Sequence, residues 1–176
     1  NGVGKYATDF SAGTASYEMF GDGRDKDMPG SGNLDNNNGF GIAIVNSGSA
    51  GATSINVSDA YAGWRINVGD AVLIHQTQGT GAGCWEMNKA TSDYTGGTAA
   101  IQLAKPLKCN YTNSGNNRAQ VLRVPQYSTC NVTGTVTPLV PWDGGKGGIF
   151  AVLCNGIMAI SGQIRVDGTG YRGGLG

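Results

Sequence analysis

Charge is scarce in this chain of 176 residues: twelve Lys and Arg balance twelve Asp and Glu, and charged residues make up 14% of the sequence, against an ordinary share near ~25%. None of the basic residues forms a run, so the phosphate neutralisation that nucleic-acid binding needs has no source, and no nucleic-acid partner is expected. Histidine is down to His75 and glutamate to Glu18 and Glu86. A histidine-dependent serine or cysteine triad could use only His75, and no Gly-x-Ser-x-Gly elbow is present to serve it. In "VLIHQTQ" the alternation puts His75 on the face of Leu73, opposite Val72, Ile74 and Gln76, which reads as packed and not catalytic. No apolar run approaches the ~18 to 20 residues of a membrane span, and no charged-then-apolar signal opens the chain. A membrane-spanning helix is therefore not expected, and the sequence reads as a piece excised from a longer protein. Helix-forming text is nearly missing too. "ATDFSAGTASYEMF" could form a turn or two, but Gly13 and its Ser and Thr neighbours argue against it.

What is abundant is glycine, 31 residues, without the three-residue period of collagen. Between the glycines lie short β-branched runs: Ile42 to Val45, Ile55 to Val57, Ile66 to Val68 and Val72 to Ile74, separated by Gly, Asn, Ser and Asp. Such spacing predicts strands almost throughout, with Pro106, Pro125 and Pro138 at edges, bends or strand ends because proline cannot donate to a ladder. The expected fold is all-β, a sandwich or barrel-like domain over residues 21–176 preceded by an N-terminal segment, 1–20.

The last stretch, "GGIFAVLCNGIMAISGQIRVDGTGYRGGLG", repeats glycine at 156, 162, 168 and 174. Between them sit "IMAI" and "QIRV", in which Ile164 and Val166 alternate with Gln163 and Arg165 as the buried face of a strand does. A short strand plus a glycine corner is the unit of a β-solenoid, and one or two such rungs are expected at the C-terminal end, with ordinary hairpins as the alternative. A glycine-rich edge of unpaired amides invites another strand, so a homo-oligomer, a trimer first, is the expected assembly.

Cys84, Cys109, Cys130 and Cys154 are too widely spaced for a zinc knuckle or a redox motif. An even number in a weakly charged β protein fits disulfides made outside the cytosol. Four cysteines allow three connectivities, of which Cys84 with Cys109 and Cys130 with Cys154 close similar loops. Asp22, Asp25 and Asp27 in "GDGRDKDMPG" suggest calcium, but the stretch fails the EF-hand register and carries Arg24 and Lys26, so a turn with local salt bridges is the expectation. "GTGAG" and "GKGG" complete no phosphate loop. No cofactor or metal is expected. Asp59, Asp70, Glu86, Asp93, Asp143 and Asp167 are scattered, and a glycosidase would need two of them within ~5 to 9 Å.

Aromatic residues beside amides remain: Trp85 with Glu86 and Asn88, Tyr94, Tyr111 with Asn113, Trp142 in "PWDGG" and Tyr171. Ring faces flanked by Asn, Ser and Thr suit sugars and polar polymers, the ring stacking while amides bond hydroxyls. Trp85, Tyr94, Tyr111 and Asn113 are the candidate binding residues, expected on one surface near the Cys84–Cys109 loop.

Four segments carry a resemblance: "GDGRDKD", "INVGDAVLIHQTQGTGAG" followed by "WEM", "RAQVLRVPQY", and the ending from "PWDGGKGGIF" to "GTGYRGG". Over residues 20–174 the chain resembles a family of secreted bacterial adhesin-like and fibre-tip proteins with GDGxDGD, VGDxVLIxQxQGTGAGxWE and GGIxAFxxxGxxxIxGxIxxxGxGxRGG motifs. It departs at Lys26, where the family has small residues, and in its cysteines. The resemblance implies extracellular attachment and no catalytic residues. The expected function is an adhesion or recognition module, not an enzyme, whose partner is a glycan or envelope component of another cell. A structural fibre or surface-layer segment is the alternative, and a polysaccharide-degrading enzyme the third.

Overall fold

The computed structural model describes residues 20–34, 41–138 and 140–171, and over them the protein is all-β. Two short strands open it, β1 (Asp27–Met28) and β2 (Gly32–Leu34). Seven follow: β3 (Gly41–Gly48), β4 (Ser54–Ser58), β5 (Ala71–Gln78), β6 (Trp85–Lys89), β7 (Ala99–Gln102), β8 (Tyr111–Thr112) and β9 (Arg118–Val124). Six short ones close it: β10 (Gln126–Tyr127), β11 (Thr129–Val132), β12 (Thr135–Pro138), β13 (Leu153–Cys154), β14 (Met158–Ile160) and β15 (Gln163–Ile164).

The middle group forms one antiparallel sheet in the order β6-β5-β9-β3-β4-β7, with β8 on β3. Period-two alternation sets its faces. In β5, Val72, Ile74 and Gln76 are fully buried, while Leu73 and His75 point outward and are half-buried. The inward set meets Val45, Ile55, Val57, Ile101 and Val121 in one core. The sheet curls until its two edge strands touch at a single bridge, Ala90–Leu103, short of a closed barrel.

The remaining strands stack in parallel: β1, β11 and β14 on one side, β2, β12 and β15 on a second, β10 and β13 on a third. That is a three-sided β-solenoid with three rungs among the described residues, filled by Met28, Leu34, Tyr127, Cys130, Val132 and Val136. One or two rungs were expected, at the C-terminal end. The additional rung comes from β1 and β2, which the whole antiparallel sheet separates from their partners in sequence. Pro125 and Pro138 lie at strand ends, as proline requires.

Glycine corners let the rungs touch. Gly162 follows β14 and Gly134 follows β11, and a Cβ at Gly162 would stand 2.7 Å from the Gly134 nitrogen and inside its carbonyl oxygen. Gly168 is different: its φ is +68°, and a Cβ there would meet nothing within 4 Å. The fourth ladder glycine, Gly174, and most of the N-terminal segment lie outside the described residues.

Cys84 and Cys109 are joined, fastening the start of β6 to the segment before β8. The expected second bridge is corrected: Cys130 and Cys154 are free thiols. Burial first, and then the neighbouring Cys154, pushes the Cys130 thiol up to about 12. The Cys154 thiol turns to the carbonyl of Ile157, 3.6 Å away at its own corner.

Candidate functional site

Of the four residues expected to form the binding surface, the fold brings only Trp85 to an exposed position. Tyr94 and Tyr111 are corrected to core residues, 2% and 1% exposed. Tyr94 packs against Trp64 with ring centroids 5.4 Å apart and donates its hydroxyl to the Gly97 carbonyl at 2.7 Å. Tyr111 donates to Glu86 Oε1 at 2.9 Å inside the sheet. Burial of each ring is tolerated because its hydroxyl has a hydrogen-bond partner. Asn113 is half-buried near β3, where its backbone nitrogen donates to the Asn46 carbonyl at 3.4 Å.

Trp85 stands on the outer face of β6, 48% exposed, opposite His75 of β5. The segment between β12 and β13 lies across this face. Gln120, on β9 next to His75, fixes it there: Oε1 accepts from the Gly147 nitrogen at 2.7 Å, and Nε2 donates to the Gly147 carbonyl at 3.2 Å. The same Nε2 donates to the Tyr171 hydroxyl at 3.0 Å. Tyr171 stacks on His75 with centroids 5.9 Å apart and stands perpendicular to Trp142 with centroids 4.9 Å apart. The result is an open groove of about 410 Å³ between Trp85, Met87, Leu73 and His75 on the sheet, Ile149 and Ala151 on the overlying segment, and Tyr171 beyond β15.

Burial lowers the His75 pKa, which favours a neutral ring. Burial also raises the Tyr171 phenol to about 12, against hydrogen bonds from Thr77 and Gln120 that act the other way. Uncharged aromatic surface next to hydroxyl and amide groups can stack on an apolar ring face and bond its polar rim. The sequence names Trp85, Trp142 and Tyr171 as exposed aromatics. It does not show that Gln120 gathers them, and the only signal for the outward face was the alternation of β5.

Ion pairs anchor the sheet to the solenoid. Arg123 Nε meets Asp70 Oδ2 at 2.6 Å, and its Nη2 meets Asp25 Oδ1 at 2.7 Å. Burial opposes the Asp70 charge, but Arg123, the Asn67 amide and Arg24 outweigh it, so its carboxyl sits below the ordinary value. Asp22 is chelated by Arg24, at 2.9 Å to Nε and 2.7 Å to Nη2, and Asp27 accepts from Ser128 at 2.8 Å. The three aspartates thus take separate partners, and no group of three metal-ligating side chains forms among the described residues. The six scattered carboxylates are engaged as well. Asp59 and Asp143 share Lys146, Asp70 holds Arg123, Glu86 takes Tyr111, Asp93 takes the Val68 amide and Asp167 takes Arg165.

No protein-family model matches the chain, and no curated protein matches it. Among solved structures it is similar to the Gp54 tailspike of Acinetobacter baumannii bacteriophage AP22, determined in complex with A. baumannii capsular saccharide. The TM-score is 0.36 at 15% identity, and the match covers 55% of this chain and 16% of the tailspike. The chain therefore spans only a small part of the tailspike's length.

Proposed function

We propose that this chain is an extracellular recognition module that holds a surface glycan or envelope polymer in the groove beside Trp85, without cleaving it. The observation that carries the reading is the groove itself: a half-exposed tryptophan facing a braced His75–Tyr171–Trp142 group. The Cys84–Cys109 bond suits an oxidising compartment. Internal partners for the scattered carboxylates speak for binding over hydrolysis. The resemblance of its motifs to those of secreted adhesin-like proteins is in keeping with the same role.

The test is a glycan array followed by calorimetry on the hits. Trp85→Ala is expected to weaken binding about ten-fold, the size of a typical anchoring aromatic, with Tm nearly unchanged. An array without hits, or a silent Trp85→Ala, overturns the reading.

A second reading, a fibre segment that stacks on copies of itself, has its own observation. Met158 and Ile160 continue the interior columns of Cys130 and Val132, yet are 49% and 54% exposed at the end of the solenoid. A further rung or a sister chain, as in a trimer, would cover them. Sedimentation equilibrium distinguishes the two: a concentration-independent monomer removes self-association.

A further inference from the structure

Half of the chain's sulfur gathers at one corner of the solenoid. Of four methionines and four cysteines, Met28, Cys130 and Met158 stand in one column, paired across β1, β11 and β14. Strands paired in this way run about 4.8 Å apart, with partner side chains on the same face. Met28 and Cys130 are buried, and Met158 continues their column at the open end. Cys154, on β13, packs against the same interior cluster. Its sulfur lies 3.6 Å from the Ile157 carbonyl oxygen, and that oxygen also accepts from the Cys130 nitrogen at 3.0 Å. One backbone oxygen thus ties both cysteines to the same corner.

The corner has an entrance. Cys154 and Met158, with Phe20 and Val152, line a hollow of about 430 Å³ that shares no lining residue with the aromatic groove. A proton can leave the Cys154 thiol without orphaning the Ile157 carbonyl, which keeps its bond from the Cys130 nitrogen. Thiolate and thioether sulfur are soft ligands and suit Cu(I), whereas carboxylates suit magnesium and calcium. Zinc takes four thiolate, imidazole or carboxylate ligands, and not even three such side chains group together among the described residues.

We propose that this corner binds a Cu(I) ion between the thiolates of Cys130 and Cys154, with the Met158 thioether as the third ligand. Each thiol releases its proton to solvent as the ion binds. The ion joins the second rung to the third, since Cys130 belongs to β11 and the other two ligands to β13 and β14. The spacing that excludes a zinc knuckle does not touch this site, whose ligands come from three strands.

The protein would be titrated anaerobically with Cu(I) in competition with bicinchoninate. Ascorbate keeps the copper monovalent and leaves the Cys84–Cys109 bond intact. A single equivalent of copper is expected to be held against the chelator, and Cys154→Ser should lose it. Met158→Leu keeps the apolar volume at a half-exposed position, so it tests the thioether even if Cys154→Ser fails to fold. It should lower the affinity about ten-fold, the lower end of what losing a supporting group costs a metal site. X-ray absorption at the copper edge should show sulfur neighbours alone. No copper held against bicinchoninate, copper that survives Cys154→Ser, an affinity unmoved in Met158→Leu, or nitrogen or oxygen next to the ion would each overturn the site.

Discussion

Adding one methyl group at Gly162 should lower stability by roughly 3 to 4 kcal/mol, far more than an exposed position ordinarily costs. A Cβ there would lie 2.7 Å from the nitrogen and 2.8 Å from the carbonyl carbon of Gly134, whereas non-bonded carbons rest at ~3.5 to 4.0 Å. Relief requires the third rung to lift from the second. At this corner Gly162 N donates to the Val132 carbonyl and Gln163 N to the Gly134 carbonyl, both at 2.9 Å. Displacement weakens both bonds, each worth about 1 kcal/mol net, on top of an overpacking cost of about 1 to 3 kcal/mol. Gly168→Ala is the control: no atom is in the way, and only the left-handed backbone is penalised, by about 1 to 2 kcal/mol. Urea denaturation followed by circular dichroism reads both, since a change of midpoint at constant slope is a change of stability. Gly162→Ala within about 1 kcal/mol of the parent, or Gly168→Ala equally damaging, would refute the stacked corner.

Lys26 has φ +61°, a conformation that costs a non-glycine residue about 1 to 2 kcal/mol. Lys26→Gly should therefore raise Tm despite the entropy that glycine adds to the unfolded chain; a lower Tm would count against the assigned backbone. Arg123→Met leaves Asp70 and Asp25 without their shared cation, and a loss of about 3 to 5 kcal/mol is expected by urea melt. A near-neutral result would mean that the clamp does not hold the sheet to the solenoid. Thiol titration of denatured, unreduced protein should find two sulfhydryls, Cys130 and Cys154. In the native protein Cys154 should react first, because Cys130 is buried with its pKa raised to about 12. A count of zero would place a second bridge between β11 and β13.

The fold class was legible because period-two alternation is local: Val72, Ile74 and Gln76 against Leu73 and His75 read correctly before any pairing was known. The glycine corners were legible for a similar reason, since a position that accepts no Cβ shows directly in composition. Lys26 shows the reverse case, a positive-φ position held by a residue other than glycine. What failed was long-range. Tyr94 and Tyr111 sit in polar, glycine-rich text that reads as exposed loop, and nothing nearby announces that Trp64 and Glu86 wait inside for them. Gln120 was invisible as the organiser of the groove because its partners, Thr77, Gly147 and Tyr171, lie on three separate segments. The first solenoid rung was hidden because β1 and β11 are paired across the entire antiparallel sheet.

That interrupted connection sets the path of mechanical load. The chain leaves the solenoid after Leu34 and re-enters at Gln126, while Leu34 pairs with Pro138 and Asp25 N donates to the Gln126 carbonyl at 3.0 Å. The exit is thus held to the end of the second rung and the return to the start of the first, and tension drawn along the stack passes from rung to rung through Asp27–Thr129, Met28–Cys130 and Gly32–Val136. The inserted sheet hangs beside this line of force, with the Arg123–Asp25 pair as its tether. A surface mounted there keeps its shape under pull until the ladders between the first two rungs give way.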